Sequence, residues 1–432
     1  MPRSRSINQD DLRNHNLSVV LTTLLQSDSP MSRAQLAKST GLTKATLSLL
    51  SDILLTNEVV EELDPLQKSG NGRPSTPLAF RPGCWVGIGM QINTDGYGYT
   101  VTDIAGETVM GEWEDRSMTG VTPDEAFAAL DELLLPAEAT LKRRNYRIVG
   151  AGLALPGLIA DLGAGEQRLL MAPNLGWTDI DLHQYDVVRR LEALADNEAN
   201  LAAIAQIPGY ASCRPTAQVE DVARETERER AEESGRLEEA LSPNDSFLYI
   251  STDVGVGGAF VRSGSLVRGD HGFAGELGHV SVDMNGPQCR CGRRGCLEMY
   301  AGRRELVRAA GIADGDEAVQ GRYVQELHDR WRDGDDRAVN AIDQALNAMA
   351  SAAATVINVL DVDTIVLGGF WSVFGEDLAA RLRERVTPQL LAGGSIDLRV
   401  LSCASDEHPA LHGAAAYGLR RFIERPMDYM DL

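Results

Sequence analysis

Residues 276–298 read ELGHVSVDMNGPQCRCGRRGCLE, and no other stretch of the chain says as much about it. One histidine is followed at short range by three of the six cysteines, with a glutamate at each end. His279, Cys289, Cys291 and Cys296 make a His/Cys₃ set, one of the donor sets that close a tetrahedral zinc site. A fully protein-ligated ion keeps no open position, so the expected role is structural: zinc pins a loop and activates no water. The competing reading is three buried thiols beside an unrelated histidine. Gly292 and Gly295 weigh against it, because they supply the tight turns such a knuckle needs. Function is then to be sought in what the loop positions.

Working outward, 432 residues exceed one typical core and predict two or three domains, and a hydrophobic content of 43% suffices to pack them. No apolar stretch is long enough to span a bilayer, and the opening MPRSRSINQDDLRNHN lacks the apolar segment of a secretory signal. The other cysteines, Cys84, Cys213 and Cys403, are scattered. That pattern suits a reducing compartment better than a disulfide framework, so a cytoplasmic location is expected. Net charge is −22, which argues against a chain coated in nucleic acid. The excess is uneven. Residues 1–80 carry eight Lys/Arg and eight Asp/Glu, while the rest carries 33 against 55. A reader of double-stranded DNA fits the first eighty residues and nowhere else.

Those residues have the pattern of such a reader. Leu17, Val20, Leu21, Leu24 and Leu25 recur at helical spacing, up to Asp28-Ser29-Pro30. Ser32 caps a short helix, RAQLAKST. Gly41 breaks the chain, and Thr43 caps a third helix, KATLSLLSDILLTN. This is a helix-turn-helix pattern. Leu47, Leu50 and Leu54 face inward, leaving Thr43, Lys44, Ala45 and Ser48 on the outer face where a recognition helix meets base edges. VVEELDP, KSGNGRPSTP and LAF then read as a two-stranded wing with Arg73 at its tip, suited to phosphate or the minor groove. A small protein-docking module is the alternative, since Lys44 is the helix's one cation and Leu49 lies on the same face. The winged helix-turn-helix is assigned to residues 1–82 and a second domain to 83–432.

The second domain alternates strand-like and helical stretches, an α/β pattern. WVGIGMQINTDGYGYTVTDIAGE reads as a hairpin, and YRIVGAGLALPGLI and SFLYISTDVGVGGAFV as buried strands with glycine turns. VVRRLEALADNEANLAAIAQ and AVNAIDQALNAMASAAATVINVL read as helical, and DTIVLGG as a last strand before another helix. Similar strand-turn units near 86–100 and 248–262 hint at a duplicated fold with a cleft between lobes. Residues 208–245, with five Arg and ten Asp/Glu, look like an acidic insertion: a solvated excursion or a partner site.

These residues resemble the ROK family of repressors and sugar kinases over nearly the whole chain. The most specific match is its zinc signature, Gly278-His279, nine residues, then CRCGRRGCLE. ELGH resembles the family's sugar-contacting E-x-G-H, and ADNEAN its N-D-A-N segment. LALPG and PNLGW also stand where the family has them. The resemblance implies an actin/hexokinase-like fold of two α/β lobes flanking a ligand cleft. It also implies sugar contacts at Asn174, Asn197, Glu198, Glu276, His279 and Glu298. Such a set suits carbohydrate: carboxylates accept from vicinal hydroxyls, and amides both donate and accept.

The kinase members need an aspartate base and glycine-rich phosphate turns, and here the chain departs. Glu198 replaces the aspartate. Gly89-Met90-Gln91-Ile92-Asn93 has lost the first turn's acid, glycines and threonine, and Asp253 opens the second. The expected function is a sugar-responsive DNA-binding regulator and no enzyme: a repressor of carbohydrate-utilisation genes, relieved by a sugar or sugar derivative. It would act on a palindromic operator as a homodimer or homotetramer. The alternatives are an active ATP-dependent ROK sugar kinase and a regulator sequestered by another protein.

Overall fold

The computed structural model describes residues 9–27, 29–64, 76–163, 165–212, 241–315, 318, 321–403 and 408–430. Arg73, the wing tip and most of the acidic insertion, Cys213 included, lie outside them.

Three helices, α1 (Gln9–Leu25), α2 (Arg33–Thr40) and α3 (Lys44–Thr56), begin the chain. Ser32 and Gln35 form a reciprocal cap: the Ser32 hydroxyl accepts the Gln35 N–H, and the Gln35 carboxamide accepts the Ser32 N–H. Gly41 ends α2 in the left-handed conformation (φ 73°), and the Thr43 hydroxyl caps α3 by accepting the Thr46 N–H. Leu47, Leu50 and Leu54 are buried as the spacing requires. Strands β1 (Met31–Ser32), β2 (Val60–Glu62) and β3 (Pro77–Phe80) close the unit as an antiparallel sheet in the order β1-β3-β2.

Two five-stranded sheets follow. The first comprises β4 (Trp85–Ile92), β5 (Gly96–Asp103), β6 (Thr108–Asp115), β7 (Arg147–Leu155) and β11 (Leu194–Asn197), ordered β11-β7-β4-β5-β6. The second comprises β12 (Phe247–Thr252), β13 (Val256–Arg262), β14 (Ser265–Leu266), β15 (Thr364–Gly369) and β16 (Arg399–Ser402), ordered β14-β13-β12-β15-β16. In each, a hairpin (β4/β5, β12/β13) is followed by strands added in parallel on the first hairpin strand. The fold is therefore duplicated, as the paired strand-turn units suggested.

Every residue of β4 is buried because both sheet faces are covered, one of them by the helix α12 (Pro409–Glu424). A Cβ at Gly89 would overlap the Leu411 carbonyl oxygen of α12, so this glycine serves close helix–sheet packing.

Three differences from the sequence reading stand out. The stretch 187–206 is not one helix. α5 (Asp186–Arg190) ends, Glu192 takes a left-handed φ of 47°, and Leu194–Asn197 becomes β11, parallel to β7, before α6 (Glu198–Ala205) starts. Pairing in a sheet buried by its own layers outweighs local helix preference. DTIVLGG is not the last strand either, since β16 adds a parallel edge beside it. A separate three-stranded sheet of β8 (Leu158–Gly163), β9 (Glu166–Ala172) and β10 (Trp177–Asp181) was not foreseen.

The opening helices share a core with the rest of the molecule. Leu17, Val20, Leu21 and Leu24 pack in one cluster with Trp85, Ile104, Val149 and, from α12 and beyond, Phe422, Ile423 and Met430. The Trp85 indole N–H donates to the Asn57 carbonyl, and buried Asn14 accepts the Met427 N–H. Among the described residues no helix is long and apolar enough to cross a membrane.

Candidate ligand cleft and metal loop

The loop 276–298 is laced by its own backbone. Val282 donates to Gly295, Cys289 to Arg293 and Leu297 to Val280, while Gly292 and Gly295 turn with φ of 89° and 62°. The result draws four donors together: those of His279, Cys289, Cys291 and Cys296 lie within 4.8 Å of one another. The His279 Nδ1 is 3.8 Å from the Cys289 sulfur, and the Cys291 and Cys296 sulfurs are 3.6 Å apart. Zinc–sulfur bonds of about 2.3 Å in a tetrahedron put ligand atoms about 3.8 Å apart, so the donor set and spacing fit zinc. The other ring nitrogen, Nε2, lies 4.0 Å from the Glu276 carboxylate, beyond hydrogen-bond distance.

The loop forms one wall of a cleft of about 1560 Å³ between the two sheets' lobes. Asn174, Asn197, Glu198, Glu276, His279 and Glu298 all line it, although they come from four separate stretches of chain. Asn174 follows β9. Asn197 and Glu198 stand where β11 turns into α6, and Glu298 starts the short helix α7 (Glu298–Ala301). Gly255 holds part of this wall open. A Cβ there would overlap the Glu298 carboxylate and come within 3.7 Å of the Asn174 amide nitrogen. Asn197 is partly engaged already: its amide donates to the Gly157 carbonyl at 2.9 Å and accepts the Ala199 N–H at 2.8 Å. One amide proton and one lone pair remain for a ligand.

Burial dominates the electrostatics. It pushes the Glu198 carboxyl up to about 8, helped by the negative charges of Asp253 and Asp95; a hydrogen bond with Gln91 and the charge of Arg303 oppose the rise. Asp253 is raised by burial too, against the pull of Arg303. Glu276 is raised by burial, with His279 pulling the other way. Across the cleft, Arg303 at the start of helix α8 (Arg303–Ala309) grips Asp95 of the β4–β5 turn at 2.7 and 3.0 Å, one lobe to the other. Asp196, next to Asn197, accepts from Asn200 and from Arg268 of the second lobe.

Sequence reasoning missed Gln91, Asp95, Asp196, Arg268 and Arg303. Gln91 lies within the altered first turn and Asp95 just after it, where the sequence reading weighed only what was lost. Nothing local marks Arg303 or Arg268, whose partners lie 208 and 72 residues away. On the opening three-helix unit, Thr43, Lys44, Ala45 and Ser48 are all exposed at the start of α3, and Leu49 beside them is 56% exposed.

A path of packed residues joins that unit to the cleft. α6 begins at Glu198 and ends at Ala205, and the loop after it packs on the end of α1. Gly209 (φ 66°) sits so close that a Cβ would overlap the Leu25 carbonyl oxygen, and Tyr210 and Ala211 join the cluster of Leu24 and Leu25. Arg420 of α12 donates to the Tyr210 carbonyl at 2.7 Å and lies over its ring.

Four likenesses, to a family and to three known proteins, bear on this arrangement. Residues 233–420 match the ROK family model. The chain is 25% identical over 414 residues to the xylose repressor of Bacillus spizizenii, spanning 95% of this chain and 96% of that protein. It is 28% identical over 299 residues to the xylose repressor of Bacillus subtilis, 68% of this chain and 67% of that one. In fold it matches a crystal structure of a ROK family transcriptional regulator, a homologue of the E. coli MLC protein. The TM-score is 0.70 at 21% identity, over 96% of this chain and 97% of that one.

Proposed function

From a chain that carries a ROK family domain, we propose a sugar-responsive transcriptional repressor of carbohydrate-utilisation genes. The observation that carries this reading is the α6 path: one helix starts among the cleft's carboxylates and amides, and the loop after it packs on the three-helix unit.

That unit, residues 1–82, acts as a winged helix-turn-helix. Thr43, Lys44, Ala45 and Ser48 meet base edges and phosphates of double-stranded operator DNA, and Arg73 reaches the backbone or minor groove. Base discrimination by hydroxyls and one lysine is modest, so a palindromic operator read by a homodimer or homotetramer supplies the rest. In residues 83–432, Asn174, Asn197, Glu198, Glu276, His279 and Glu298 take the sugar's hydroxyls. Zinc on His279, Cys289, Cys291 and Cys296 pins the wall that carries three of them. A sugar that prefers closed lobes shifts α6 and its loop against α1. Coupling of about 1–3 kcal/mol, the usual allosteric range, weakens operator binding about 5- to 150-fold.

The kinase reading is less well supported. Glu198 stands in place of the kinases' aspartate and is one methylene longer, which displaces its carboxyl from a base's position, and Asp253 puts an acidic residue into the second glycine-rich turn. The test is a gel shift on DNA from the chain's own upstream region, with and without xylose, together with Lys44→Ala. The variant should bind more weakly and lower the slope of log affinity against log salt by about 1. Unchanged binding by the variant, or turnover of ATP on a simple sugar, overturns the reading.

A further inference from the structure

The cleft is larger than the proposed sugar needs. Pockets for drug-sized molecules run to roughly 300–1,000 Å³, and one sugar ring is smaller than such molecules. At about 1560 Å³ the cleft has room for more than that ring. Beside Glu198 the same cleft is lined by Gln91, Asp95, Asp253 and Arg303, and Val373 and Gln325 line it too.

The polar groups there are unbalanced in a telling way. Gln91 is only 3% exposed and Arg303 only 4%, yet the Gln91 carboxamide oxygen and the Arg303 Nε–H have no hydrogen-bond partner. The Glu198 Oε2 is buried without a partner as well, so the contact between Gln91 and this carboxyl still leaves one oxygen of each unmet. Buried polar atoms left unpaired cost about 1–3 kcal/mol each, so this set is built for a ligand that both donates and accepts. A phosphate only accepts and would meet the carboxyls of Asp95 and Asp253. A sugar hydroxyl does both.

We propose that this half of the cleft is a second carbohydrate subsite, and that the effector is a disaccharide or longer neutral oligosaccharide. One ring lies against Asn174, Glu276, His279 and Glu298. The next reaches past Glu198 to Gln91 and Arg303. The inference rests on the sugar-sensor reading above and specifies its ligand.

The test is calorimetric titration of the full-length protein with xylose, glucose, β-1,4-xylobiose, cellobiose and maltose, repeated on Val373→Phe and Gln325→Trp. Both substitutions put bulk into the lining of the cleft, and Gln325 is an exposed residue whose replacement leaves the core intact. At least one disaccharide should bind about tenfold tighter than its monosaccharide, a difference of about 1.4 kcal/mol. The variants should lose that preference while keeping monosaccharide affinity and operator binding. A monosaccharide that binds as tightly as every dimer, or a dimer preference that both variants retain, overturns the subsite and leaves the sensor reading standing. Binding of an adenine nucleotide in this half, competed away by Gln325→Trp, also overturns it. A protein that binds none of the sugars loses both proposals.

Discussion

Glu198 offers the sharpest test of the cleft's electrostatics. Its carboxyl has an ordinary value of 4.5 and is pushed up to about 8 in the fold. Between about pH 5.5 and 7.5 the folded chain therefore holds a proton that the unfolded chain has released. Unfolding sheds that proton, so raising the pH across this window favours the unfolded state. Each unit costs the native state about 1 kcal/mol. Asp253, raised by burial beside Glu198, shares the proton release, so the cost over the two units is roughly 1–3 kcal/mol. Glu198→Gln keeps the size and the partner Gln91 but has no proton to lose. Thermal unfolding of the ligand-free protein at half-unit pH steps should show the wild-type midpoint falling several degrees further than the variant's from pH 5.5 to 7.5. Well above pH 8, once the folded chain has also released the proton, the two curves should run parallel. Parallel curves across the whole range would refute the claim that Glu198 is held as a buried acid.

Two further outcomes follow from the loop and from the α6 path. Cys291→Ser should lower bound zinc, the melting temperature and the sugar response together, and a chelator should reproduce this on the wild type. Unchanged metal content and melting temperature would count against the metal loop. Gly209→Ala forces a left-handed residue to carry a Cβ, at about 1–2 kcal/mol, and pushes on the Leu25 carbonyl. Calorimetry should find sugar affinity within about twofold of wild type, while gel shifts show sugar releasing less DNA. A full release response in that variant would break the proposed link.

Much of this was legible because its signals are local. The cap at Ser32, the left-handed Gly41 and the inward leucines of α3 follow from spacing and from side chains that bond their own backbone. The metal loop was legible for the same reason, its four donors lying within eighteen residues of one another. The six expected cleft residues came together as well, but through a family resemblance that carries long-range information no single stretch holds. The misread stretch 187–206 shows where local reasoning stops. Its composition is helical, and a strand partner 42 residues away (Leu194 against Gly152) overrules it.

The amino-acid order alone thus determined the helical head, the metal loop and the repeated strand-turn units, since each is decided within a turn or two of chain. Tertiary structure alone decided the character of the cleft. Arg303 meets Asp95, and Arg268 meets Asp196, only after two lobes have folded and faced each other. Burial between those lobes is also what makes Glu198 an acid that keeps its proton. A carboxyl's pKa depends on what surrounds it in space, and residues far away in sequence supply those surroundings.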